Sequence, residues 1–119
     1  MGVKNNKDMK SLKTFSGKGK ANTALSVSTE KGARYLVHQV VVSYSANPTQ
    51  TGVVVSLDSG LGADYNADLL TGTANVRYTI FPEDLLKPFI VMENDILTVT
   101  APAGGAGITS AISILAEKL

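Results

Sequence analysis

The stretch from Gly32 to Gly60, GARYLVHQVVVSYSANPTQTGVVVSLDSG, constrains the fold more than any other part of the chain. From Arg34 to Ser45 the β-branched and aromatic residues are dense and alternate. Leu36, His38, Val40, Val42 and Tyr44 fall on one side, and Tyr35, Val37, Gln39, Val41, Ser43 and Ser45 on the other. Successive side chains of a strand point to opposite faces, so this period of two predicts a strand with one richer apolar side. Neither side is polar through the middle, which predicts that both are covered there. Asn47-Pro48 and Gly52 then break the pattern, because proline fixes φ and has no N–H for a ladder. Val53, Val55 and Leu57 alternate with Val54, Ser56 and Asp58 before Ser59-Gly60 ends the run. The simplest reading is a central hairpin of two long strands.

The flanking segments have the same texture. Ala24–Thr29 is a short alternating run with Leu25 and Val27 inward. Asp64–Leu70, Asn75–Phe81, Phe89–Met92 and Ile96–Ala101 follow as further strands separated by Gly, Pro, Asn and Asp. Pro82-Glu83-Asp84-Leu85-Leu86 is the one helical turn expected, since proline suits a first helical position and two acids favour an N-terminus. Pro102–Gly107 reads as a flexible tip. Ile108–Ala116 reads as a last strand, Ile108, Ile112 and Ile114 on one face, with a helix as the alternative. About seven or eight strands with frequent turn signals predict an all-β antiparallel sandwich, either jelly-roll or immunoglobulin-like. Its expected span is residues 24–119, with short connections that pair neighbouring strands.

Residues 1–23 differ. Lys4, Lys7, Lys10, Lys13, Lys18 and Lys20 against Asp8 give residues 1–20 a net +5, while five cations against nine acids leave the rest at −4. Gly17 and Gly19 punctuate this region, and Met9, Leu12 and Phe15 are too few to fold alone. The expectation is an extended basic arm that orders against a partner or a neighbouring subunit. Lys4, Lys7, Lys10, Lys13, Phe15, Lys18 and Lys20 are its candidate contact residues. A tether onto an acidic protein surface ranks first, a solubilising tail second and nucleic acid last. The arm has no arginine and one aromatic residue, so base readout and stacking have little to work with.

The rest of the composition narrows the chemistry. A chain of 119 residues, 44% hydrophobic and 18% charged, suits one globular domain. The absence of cysteine excludes disulfides, thiolate metal sites and cysteine nucleophiles. No apolar run approaches the ~20 residues that span a bilayer, and the basic N-terminus lacks the apolar core of a signal peptide. The expectation is therefore a protein made in the cytoplasm, without a membrane partner.

No motif supplies catalysis or a cofactor. His38 is the single histidine and lies mid-strand, where a hydrogen bond across the sheet or a subunit contact explains it better than general-base work. Asp64 and Asp68, with Asp58 nearby, lack the ligand run of a calcium loop. Glu83 and Asp84 are accounted for by the helix dipole. Gly17-Lys18-Gly19-Lys20 lacks the spacing of a phosphate loop, and no serine lies in a nucleophile elbow. The chain is expected not to be an enzyme, with no cofactor and no metal.

Three pieces carry a resemblance. They are VSYSANPTQTGVVVSLDSGLGADYNADL with its Pro turn and return strand, Phe81-Pro82, and ENDILTVTAPAGGAG before the last strand. Over roughly residues 24–119 the chain resembles the small β-sandwich virion proteins of tailed bacteriophages, many of them head decoration (cement) proteins. The resemblance implies no catalytic residues. It implies binding to the major capsid protein or another virion protein, stabilisation of the head, and a location on the capsid surface. It also implies a homo-oligomer, with a trimer as one arrangement. Two other readings belong to different classes. One is a tail- or fibre-associated or carbohydrate-binding sandwich, against which the lack of tryptophan counts. The other is the coat protein of a small RNA virus, against which the short chain and arginine-free arm count.

Overall fold

In a computed structural model, the structure describes residues 12–50, 52–60, 67–72, 78–80 and 89–119. Nine strands lie among the described residues: β1 (Leu12–Lys18), β2 (Leu25–Ser28), β3 (Tyr35–Tyr44), β4 (Val53–Asp58), β5 (Ala67–Gly72), β6 (Tyr78–Ile80), β7 (Phe89–Val91), β8 (Ile96–Ala101) and β9 (Ser110–Lys118). The described residues contain no helix. The helical turn expected at Pro82–Leu86 lies outside them, as do Lys4, Lys7, Lys10 and Asp64.

The strands form two antiparallel sheets, one in the order β1-β9-β3-β6 with β7 also on β3, the other in the order β2-β8-β4-β5. The ladders are nested. β1 pairs with β9, β2 with β8, β3 with β6 and β7, and β4 with β5. β9 then joins β3, and β8 joins β4. β6 and β7 occupy one strand position, since Ser43↔Tyr78 and Val41↔Ile80 are followed by Val37↔Phe89 and Tyr35↔Val91 along the same edge of β3. Eight nested strand positions in two sheets are the winding of a jelly roll. That settles the choice between jelly roll and immunoglobulin-like topology.

The central hairpin does not form. β3 and β4 belong to different sheets. Val40, Val42 and Tyr44 on β3 and Val53 and Val55 on β4 are all buried, and the two strands turn these faces towards one core instead of hydrogen-bonding edge to edge. The crossing segment is fixed by Ser45 N–H donating to the Thr109 carbonyl at 2.9 Å and Thr49 N–H donating to the Gly104 carbonyl at 2.8 Å. Short connections therefore do not pair sequence neighbours here. Among the described strands only β4 and β5 are consecutive and hydrogen-bonded.

Two further expectations change. The uniform alternation along β3 is broken by a bulge, since Val37 pairs with Ala116 and Gln39 with Leu115, leaving His38 as the extra residue. The bulge shifts the phase by one, because an unpaired residue turns the following side chains over. Tyr35 and Val37 before it and Val40, Val42 and Tyr44 after it therefore all point inward, while Leu36 does not. The Pro102–Gly107 segment, expected as a flexible tip, is anchored. Tyr44 Oη donates to the Pro102 carbonyl at 2.8 Å, and Gly104 and Gly105 are buried. At Gly104 a Cβ would lie 2.6 Å from Ile108 Cγ2 and 2.9 Å from Tyr44 Cδ1, so only glycine fits without displacement.

The core is apolar and continuous. Val40, Val42, Val53, Val55, Leu97, Val99 and Ile114 have no exposed surface. Each such side chain contributes about 1.5–3 kcal/mol of burial. At the end of β2, Thr29 is buried and bonded twice to Leu97, its N–H donating to the Leu97 carbonyl at 2.9 Å and its Oγ1 accepting from the Leu97 N–H at 3.0 Å. The last segment is a strand, with Ser110, Ile112, Ile114 and Ala116 inward.

Candidate interaction surface

The candidate contact residues divide at Leu12. From Leu12 to Lys18 the chain is a sheet strand paired along its whole length with β9, from Leu12↔Glu117 to Lys18↔Ala111. This part of the expected arm orders against its own chain, because Phe15 supplies an apolar inward face. Phe15 is buried, opposite Ile114, and packs edge-on against Tyr35 with ring centroids 5.2 Å apart at 90°. Phe15 is thus a core residue and not an exposed contact. Lys13 is used within the chain as well. Its Nζ lies 3.1 Å from Glu30 Oε1 and 5.3 Å from the Phe15 ring centroid. The hydrogen bond to Glu30, with its charge, holds the Lys13 pKa above the ordinary lysine value. Lys18 and Lys20 are exposed.

The two outer faces of the sandwich differ in chemistry. On the β2-β8-β4 sheet, hydroxyls stand in a row and satisfy one another: Ser26 Oγ and Thr100 Oγ1 are 3.1 Å apart, Ser28 Oγ and Thr98 Oγ1 2.8 Å. Such a ladder is a solvated surface. On the β1-β9-β3 sheet the outward rows follow from the registers. They are Lys18–Ala111–Ser43, Ser16–Ser113–Val41, Thr14–Leu115–Gln39 and Leu12–Glu117–Leu36. β7 adds Ile90 beside Leu36.

This face is graded. At one end Ser16, Ser43, Ala111 and Ser113 are small, and the surface sinks into a shallow cavity of about 230 Å³ beside Lys18 and Val41. At the other end stand Leu115, Leu36, Leu12 and Ile90, the last two 50% and 46% exposed. Large apolar side chains gathered on one partly exposed sheet face make it the candidate interaction surface. His38, carried out of the strand by its bulge, is exposed at this same end, with Nε2 3.2 Å from Glu117 Oε1. Its partner is thus across the sheet, the structural role expected of it.

The alternation of Ile112 and Ile114 with Ala111 and Ser113 is visible in the sequence. The hollow is not, because its small residues come from β1, β3 and β9, and the β1–β9 ladder joins residues about a hundred positions apart in the sequence. Elsewhere, Asp58 and Asp68 lie at exposed strand positions, and no group of three or more potential metal ligands occurs among the described residues. Phe15, Tyr35 and Tyr44, the aromatic residues whose side chains are described, are all buried. None of them offers a ring for stacking a sugar.

No family model matches the chain, and no curated protein matches it by sequence. Solved structures share the fold. A chain of the acid-stable capsid of Helicobacter pylori bacteriophage KHP30 superposes with a TM-score of 0.52 at 18% identity, over 91% of this chain and 87% of that one. A family 32 carbohydrate-binding module of Clostridium perfringens NanJ, solved with galactose, gives 0.50 at 15% identity, over 91% and 96%. A chitosan-binding module from Paenibacillus sp. IK-5 gives 0.52 at 7% identity, over 87% and 74%. At these identities the likeness shows the β-sandwich fold alone, which hosts both structural and binding roles.

Proposed function

We propose that this chain is a non-enzymatic virion structural protein of a tailed bacteriophage, a capsid decoration or cement subunit that binds the major capsid protein and stabilises the head. Its place is the capsid surface. The observation that carries the reading is the way charge is joined to the fold. A self-contained jelly roll begins at an edge strand, and the segment entering that strand at Leu12 holds Lys4, Lys7 and Lys10. Residues 1–11 carry three lysines against Asp8, a net +2, while residues 12–119 carry eight cations against nine acids, a net −1, and a basic segment leading into an edge strand suits a tether onto an acidic shell. Repetition over a symmetric lattice lets weak contacts sum through avidity. The phage-capsid neighbour supports the fold side of this reading. The carbohydrate alternative has two neighbours of the same fold but no exposed ring among the described aromatic residues.

The test is co-sedimentation with mature capsids. Deleting residues 1–11 removes three lysines and leaves β1 intact, whereas a cut at residue 20 would strip Phe15 from the core. Full-length protein should saturate the lattice. The shortened chain should bind at least about tenfold more weakly, and added salt should narrow that difference by screening. Equal binding by the two chains contradicts the tether, and no binding by either contradicts the decoration role.

A further inference from the structure

We infer that the outer face of the β1-β9-β3 sheet is a self-association surface, on which a second copy of this chain stacks sheet to sheet about a twofold axis lying across the strands. This inference stands beside the virion reading and does not rest on it. β9 runs along the middle of the face and presents Ala111, Ser113, Leu115 and Glu117 outward in turn. The hollow of about 230 Å³ lies at the Ala111–Ser113 end, and the large apolar side chains and the acid lie at the Leu115–Glu117 end. The surface is thus its own complement when reversed along the strand direction.

An axis crossing the strands between Ser113 and Leu115 performs that reversal. It sets Leu115 of each copy over the partner's Ser113, at the hollow. It also brings the exposed Lys18, level with Ala111, towards the partner's Glu117. Within one chain those two levels are six residues apart along β9, about 20 Å, so Lys18 and Glu117 are not neighbours. A twofold along the strands would instead stack hollow on hollow and Leu115 on Leu115. That leaves a void and no opposite charges in register. Sheets stacked face to face sit about 10 Å apart with side chains interdigitated, which is the spacing a leucine over a serine needs. On the described part of the opposite outer face, the hydroxyls of β2 and β8 bond to one another instead.

The footprint sets the strength. Four strand positions about 4.8 Å apart and about six residues long cover on the order of 400 Å². A standard interface covers roughly 800 Å² per partner. The footprint is about half a standard one, so the dimer is weak and depends on concentration.

Sedimentation equilibrium of the full chain from about 1 μM to 1 mM tests this. The mass should rise with concentration from 12.4 kDa to twice that value. Leu115→Asp should weaken association at least about tenfold, and Ser26→Asp on the other sheet should leave it unchanged. Lys18→Glu should also weaken it, and adding Glu117→Lys should restore it, a recovery that requires contact between copies. If circular dichroism shows Leu115→Asp unfolded, the charge series decides. A monomer throughout, a trimer or larger closed ring, a Leu115→Asp chain that is folded and still dimeric, or a charge swap without recovery overturns the inference.

Discussion

Tyr44, the last residue of β3, ties that strand to the segment that leads into β9. Its ring is buried and its hydroxyl donates to the Pro102 carbonyl at 2.8 Å. Burial of the phenol raises its pKa above the ordinary 10.0, because the phenolate would lose its water. The sign follows from linkage. A group whose folded pKa is raised contributes stability that is complete below its unfolded value and is lost as pH rises through the folded one. Lys13, raised by Glu30, acts in the same direction above its own ordinary value of 10.5. Tyr44→Phe should cost about 0.5–1.5 kcal/mol at pH 7, the worth of one intramolecular hydrogen bond. The same variant should lose less stability than the parent between pH 9 and 11.5. Urea denaturation across that range measures both effects, and an unchanged alkaline slope would assign the loss to other groups.

At the scale of an element, β3 shows what a sequence can and cannot convey. Its existence and bounds are readable, because Tyr35–Tyr44 is β-branched, aromatic and alternating. Its phase is not. Residues 35–37 and 40–44 alternate in the same sense only once His38 is set aside, and a bulge leaves no mark in a run where both faces are apolar. Deleting His38 should restore a regular strand with Tyr35, Val37, Val40, Val42 and Tyr44 still inward, at a cost of about 1 kcal/mol for the lost cross-strand contact. Deleting Val41 should turn one half of the strand inside out and abolish cooperative unfolding. Thermal melts of the two deletion variants decide between these outcomes, and equal damage from both would contradict the bulge. β1 teaches the converse lesson. Residues 12–18 look like arm because lysines and glycines dominate them, and the single Phe15 that docks them has its partners Ile114 and Tyr35 far off in the chain. The nested ladders, and with them the outer-face hollow, depend on such distant pairings, which local periodicity does not encode.

The whole molecule joins a jelly roll with two unlike outer faces to a lysine-rich N-terminal segment. The polar face with its hydroxyl ladder suits solvent, the graded face suits a protein surface, and the basic segment suits an acidic shell. The proposed decoration role makes the chain a stoichiometric part of a virion. The most direct measurement is its copy number in purified phage particles, counted against the major coat protein by quantitative mass spectrometry. A decoration subunit should be present in a number comparable to that of the coat subunit. A handful of copies per particle would place the chain at a vertex, neck or tail and contradict the decoration role. Absence from the particle would contradict the virion reading altogether.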